Sequence, residues 1–238
     1  MVEQIDLGNL QIEVLRKKIK NLHLSVLPPL GRVRIAAPGH MSLDTIRVFV
    51  ISRLAWIKVQ QRKMRVQQRE APREYVDRES HYVWGRRYLL KRIELEAAPV
   101  IALKHSKLVL QVRAGTGELR SREILDAWYR EQIRAAVPEL IAKWEPVLGV
   151  KVGRVFVQRM KTRWGSCNPA TGAIRLNTDL AKKPPECLEY IVVHEMTHLL
   201  EPSHNARFVS LMALFMPQWQ HLRDELNALP VRHEDWGY

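Results

Sequence analysis

The chain has 238 residues, 46% of them hydrophobic and 26% charged, with a formal charge of +13 and an isoelectric point near 10. That balance excludes an intrinsically disordered chain and leaves room for one large domain or two small ones with a real core. No apolar run approaches the roughly 20 residues of a bilayer span, the first residues lack the pattern of a secretory signal, and Cys167 and Cys187 cannot build a disulfide framework, so a cytoplasmic protein with no membrane partner is expected.

The first forty residues read as strands. Leu22–Leu27 and Val33–Ala36 alternate apolar and polar residues with a period of two, and Pro28-Pro29-Leu30-Gly31 supplies the turn between them. Ser42 caps a helix that carries Ile46, Val50, Leu54 and Ile57 and runs to about Gln68, its far end basic and solvent-facing. Strand character returns over 80–113, in His81–Trp84, Tyr88–Leu90, Val100–Leu103 and Leu108–Val112, with turns at Gly85-Arg86-Arg87 and Lys104–Lys107. A second helix is expected from about Ser121 to Trp144, with Pro138 a kink. Strands are then expected over Val152–Gln158, Lys161–Cys167 and Ala173–Asn177. Pro184-Pro185-Glu186 starts a helix that carries Leu188, Ile191, Val192 and Met196 to Leu200, because Pro suits the first turn and Glu the positive dipole end. Ser203 caps another, to about Met216. No internal repeat is visible. The elements describe an α+β chain, divided into a strand-rich basic region with one long helix over residues 1–118 and a second domain over 119–238.

The chemistry sits in His194-Glu195-Met196-Thr197-His198. Residues four apart on a helix share a face, so both imidazoles can reach one ion. His204 follows six residues later, giving H-E-x-x-H-x-x-x-x-x-H, the spacing of the metzincin motif with Glu201 where that motif has Gly. Pro202 breaks the helix and lets the chain turn back toward the metal. Three imidazoles suit Zn²⁺ and leave a fourth position open to water, beside which Glu195 stands as the general base of a metalloprotease. His23, His40, His81, His105 and His233 fit no ligand spacing, and Met212 and Met216 suit core packing. His221, Asp224 and Glu225 are candidates for orienting a ligand; Arg163, Tyr190 and His221 are candidates for an oxyanion donor, among which the sequence does not choose.

Arg163-Trp164-Gly165-Ser166-Cys167, Ile174-Arg175-Leu176-Asn177, the run from Val192 to Phe208 and Leu214–Trp219 together resemble the YgjP-like metallopeptidases, relatives of the SprT-like zinc proteases. Upstream, Leu22–Val26, Ala36–Gly39, Trp56-Ile57 and Tyr82–Tyr88 resemble that family's N-terminal region in the same order, so the likeness covers nearly the whole chain. It implies a zincin-like C-terminal domain, with His194, His198 and His204 as zinc ligands, Glu195 catalytic, and a peptide substrate laid along an edge strand. Ile174, Arg175, Leu176 and Asn177 are the expected substrate-binding strand. Cys167 has no Cys-x-x-Cys partner and is read as structural.

Two other readings stay open. A metal-dependent nuclease of the ribosomal-RNA-processing type shares the ligand spacing but typically has Gly where this chain has Glu195. A non-catalytic nucleic-acid-binding protein would close the fourth zinc position with a Cys or His, and neither Cys has such a spacing to the motif. Residues 1–150 carry 27 basic and 16 acidic side chains, and 151–238 carry 11 and 9. The basic half is a candidate for contact with nucleic acid or an acidic partner, and the kinship with SprT-like proteases implies substrates that are proteins associated with nucleic acid.

Overall fold

The computed structural model describes residues 2–8, 10–27, 30–66, 70 and 73–231. The chain divides into two compact units, over Met1–Arg69 and Glu70–Arg232. In the first, β1 (Val2–Leu7) and β2 (Leu10–Lys17) form a hairpin, β2 runs parallel to β4 (Arg32–Pro38), and β3 (His23–Leu27) lies antiparallel on the far side of β4. Ile5, Ile12, Val14, Val33 and Ile35 turn one face of this sheet into a core with Ile46, Val50 and Ile57. The Ser42 hydroxyl accepts from the Thr45 amide at 3.2 Å and caps α1 (Leu43–Ser52) as expected. The single long helix is instead two. A turn at Arg53, whose amide donates to the Val50 carbonyl, separates α1 from α2 (Leu54–Val66), in which Ile57 is still buried. Pro28-Pro29 and Gln68 lie outside the described residues.

The second unit opens with β5 (Ser80–Val83), β6 (Arg86–Glu94), β7 (Val100–Lys104) and β8 (Lys107–Val112) in the order β5-β6-β8-β7. The β5–β6 turn is Trp84-Gly85, both with positive φ (49° and 76°), so Arg86 and Arg87 belong to the strand and not to the turn. This is the two-residue hairpin geometry that follows the twist of its strands. The strand order and the antiparallel, parallel, antiparallel pairing repeat those of the first unit, a repeat of topology that the residues themselves do not display.

Val83, Leu90, Leu108, Leu110 and Val112 share one core with Leu125, Tyr129, Ile133 and Val137 of α3 (Glu118–Leu148), and the Tyr129 hydroxyl donates to the Tyr82 carbonyl at 3.0 Å. The division therefore falls at 69/70, not at the expected 118/119, because the apolar face of these strands shares its core with α3. Pro138 and Pro146 both lie within α3 without ending it.

A three-stranded sheet in the order β10-β11-β9 follows: β9 (Arg154–Gln158), β10 (Gly165–Asn168) and β11 (Ala173–Asn177). After a 3-10 turn at Thr178–Lys182 come α4 (Pro185–Thr197), α5 (Ala206–Phe215) and α6 (Trp219–Ala228). Residues 161–164, expected in a strand, are outside one. The α+β class holds, with strands early and helices late. Among the described residues no helix is long and apolar enough to cross a membrane.

A buried ion network braces this unit. Arg73 meets Glu70 at 3.0 Å and Glu79 at 3.1 Å, and Lys182 meets Glu70 at 3.2 Å and Asp179 at 3.0 Å. His81, 2% exposed, lies with Nε2 3.3 Å from Glu79 and makes no hydrogen bond there. Burial first, then the charges of Arg73 and Lys182, hold its pKa down at about 3 against the pull of Glu70. The folded chain thus binds this proton less readily than the unfolded one. The stability is complete above the ordinary histidine pKa of 6.5 and is lost as pH falls from there toward 3. With chelator present, replacing His81 by Gln should remove about 2 kcal/mol of the stability difference between pH 7.5 and pH 5, read from urea unfolding at each pH. An unchanged pH dependence would show that His81 protonates freely in the fold.

Candidate metal centre

α4 begins with Pro185 at its first turn and Glu186 beside the positive end of its dipole. Cys187, Leu188, Ile191 and Val192 sink one side into the core and carry His194 and His198 to a common face. The helix stops at Thr197 with His198 at its C-cap, sooner than the sequence suggests. The amides of Leu199, Leu200 and Glu201 bond back to Met196 and Thr197 and tighten the last turn. Asn205, not Ser203, caps α5: its side chain accepts from the Phe208 amide at 3.0 Å, while the Ser203 hydroxyl donates to Glu201 at 2.9 Å. That loop returns His204 to the helix.

The three imidazoles converge, with one ligand nitrogen from each within 4.8 Å of the others. Phe208 (2% exposed) supports all three, its ring 4.9 Å from His194, 4.6 Å from His198 and 4.8 Å from His204, centre to centre. This support was not foreseen. Its only sequence signal is an aromatic residue four positions after His204, on the next helix.

The donor set fits a metal ion. His198 Nδ1 lies 3.1 Å from the Glu201 carbonyl, which holds that nitrogen as the donor and leaves Nε2 with its lone pair free. Nε2 of His194 and Nε2 of His204 stand 3.0 Å apart, close enough for one ion to be reached by both. Burial, reinforced by its neighbours His198 and His204, pushes His194 down to about 3, and burial lowers His198 as well, so both are neutral and ready to ligate. His194 Nδ1 is buried with no hydrogen-bond partner among the described residues.

Glu195 follows the first imidazole into the wall of a cleft of about 560 Å³ that the three histidines also line. It is 4% exposed, and burial lifts its carboxyl to about 8 against the lowering influence of Arg163, which lines the same cleft. The opposite wall is β10. A Cβ built on Gly165 would stand 2.5 Å from Glu195 Oε1 and 2.8 Å from its Cγ, so the bare glycine backbone makes the space for this carboxylate. Cys167 is two residues along the same wall, its thiol pushed up to about 11 by burial and then by the Glu195 charge. It is not among the metal-holding group. Tyr190 packs edge-on to His194 at 5.8 Å, whereas His221, Asp224 and Glu225 are not among the residues lining the cleft. Met212 and Met216 are core residues.

The expected substrate strand needs correction. Ile174–Asn177 lies within the central strand β11, whose main chain is paired to β10 on one side and β9 on the other. Ile174, Leu176 and Asn177 are buried, and the Asn177 amide donates to the carbonyls of Met160 and Arg163, both at 2.8 Å. The edge beside the cleft is β10.

A family model described as YgjP-like, metallopeptidase domain, matches residues 20–229. Two solved structures resemble part of the chain. The metallopeptidase zymogen abylysin of Pyrococcus abyssi is 21% identical over 38% of this chain and 90% of its own, with a TM-score of 0.36. The metallopeptidase zymogen jannalysin of Methanocaldococcus jannaschii is 21% identical over 40% of this chain and 92% of its own, with a TM-score of 0.33. No curated protein matches the chain.

Proposed function

The chain belongs to the YgjP-like metallopeptidase family, and on that premise we propose that it is a zinc enzyme hydrolysing peptide bonds, with His194, His198 and His204 as ligands and Glu195 as general base. The observation that carries this reading is the convergence of three imidazoles beside a buried carboxylate in one cleft. A bound zinc ion would polarise the scissile carbonyl, lower the pKa of a neighbouring water and draw Glu195 toward its ionised form. Glu195 then takes the proton of the attacking water and delivers it to the departing amine. No hydrogen bond or ion pair ties the carboxylate down among the described residues, so it can turn between the two. The domain is read as zincin-like, with the metal helix α4 beside a small sheet. An extended peptide would add to the outer edge of β10, Gly165–Asn168, through main-chain hydrogen bonds.

The first unit suggests where substrates come from. Residues 1–69 carry 13 basic and 4 acidic side chains, and Lys17, Lys18 and Lys20 cluster with His40 around one surface hollow. Such a surface suits a phosphate backbone, so proteins held on nucleic acid are the proposed targets. The test is digestion of a denatured protein, free or tethered to duplex DNA, by chelated enzyme and after zinc is restored. Cleavage should vanish with chelator and return with zinc, and the tether should accelerate it at low salt only. RNA degraded in place of protein would favour the nuclease instead, and indifference to the tether would remove the nucleic-acid role.

A further inference from the structure

We propose that the outer face of the sheet beside the cleft is a subsite for acidic side chains, so that the substrates are peptides carrying Asp or Glu next to the bond cleaved. The inference rests on the peptidase reading above and specifies its substrate class.

Residues 151–178, which form all three strands and their connections, contain six basic side chains and no carboxylate, although residues 151–238 as a whole are nearly balanced. The strand registers align Ser166 on β10 with Arg175 on β11 and Phe156 on β9 in one row. Gly165 and Cys167 alternate to the inner, cleft face toward Glu195, which turns the Ser166–Arg175–Phe156 row outward. Phe156 is 38% exposed, and two guanidiniums stack on it: Arg175 at 5.4 Å and Arg154 at 5.8 Å from the ring centre. Neither arginine has a carboxylate partner among the described residues. The ring keeps the Arg175 guanidinium on this face and leaves its charge unspent.

A peptide added to the free edge of β10 places every second side chain on this face. The residue opposite Ser166 then lies two strand spacings, roughly 10 Å, from the Arg175 backbone. Ser166 is the only side chain between them in that row, and it is small. Arg175 turned from the Phe156 ring toward β10 and an Asp or Glu reaching from the peptide span such a gap, whereas a substrate Lys would meet the arginine's charge. Main-chain pairing to β10 supplies affinity, and Arg175 supplies the preference.

The test compares kcat/KM for peptides that differ only in carrying Glu, Gln or Lys at successive positions around the cleaved bond, in the zinc-loaded wild type, Arg175→Glu and Arg175→Lys. The wild type should favour Glu over Gln at one position or at alternating positions. Arg175→Glu should lower that ratio roughly tenfold or invert it toward Lys, and Arg175→Lys should keep much of it. Because the ratio is taken within one enzyme, a loss of folded protein does not move it. Cleavage without an acidic preference, or a preference that survives charge reversal, overturns the proposal and leaves the peptidase intact. No cleavage by the wild type beyond that of Glu195→Gln overturns both. Competition by single-stranded oligonucleotides that Arg175→Glu abolishes, with no acidic preference, would assign the face to nucleic acid and overturn the proposal as well.

Discussion

Replacing Glu195 with Gln should leave one zinc per chain and lower peptide hydrolysis roughly a thousandfold. The amide has the size and shape of the carboxyl, so the space facing Gly165 stays filled, and none of the three imidazoles is touched. An amide cannot take the proton of the attacking water. The fold should tolerate the change readily, because burial already makes the ionised carboxylate costly, as the rise of its pKa to about 8 records. The measurement pairs elemental analysis of the purified variant with its cleavage rate. Zinc kept and turnover lost is the expected pair. Zinc kept with full turnover would mean that another group moves the proton, and zinc lost would place Glu195 among the groups that hold the metal.

The parts of this site that a sequence displays are those set by helical geometry. His194 and His198 share a face of α4 because they are four residues apart, and Pro202 marks the break that lets His204 return. What the residues did not display is set by long-range pairing. Ala173–Asn177 reads correctly as a strand, but whether a strand is central or at an edge depends on partners elsewhere in the chain. The unit boundary at 69/70 escaped for a similar reason. β5–β8 resemble the strands of the first unit in character and order, and only the packing of Leu90, Leu108 and Leu110 with Tyr129 and Ile133 assigns them to the second. Phe208 hid in the same way: its capping partner Asn205 and its ring contact His204 belong to a loop that helical periodicity does not reach, and its other ring contacts, His194 and His198, belong to a different helix.

Gly165→Ala is the sharper probe, since it should lower activity without replacing any residue of the motif. Gly165 is not at a positive φ, so an alanine there meets no backbone strain. The obstacle is local: the new methyl would stand 2.5 Å from Oε1, 2.8 Å from Cγ and 2.9 Å from Cδ of Glu195. Those are the outer atoms of a side chain with rotatable bonds, and no hydrogen bond or ion pair among the described residues holds them in place. Glu195 gives way, and β10 keeps its pairing to β11. The stability should therefore change by less than about 1 kcal/mol, within the range of small, locally absorbed substitutions. The metal should stay, because the imidazoles are set by α4, α5 and Phe208. A general base moved by about 1 Å, however, costs on the order of a hundredfold in rate. A lower kcat at unchanged zinc content and unfolding midpoint would show that the glycine serves the position of the carboxylate. Unfolded protein would mean that β10 yields before Glu195 does, and unaltered kcat would mean that the carboxylate works from a rotamer other than the one facing Gly165.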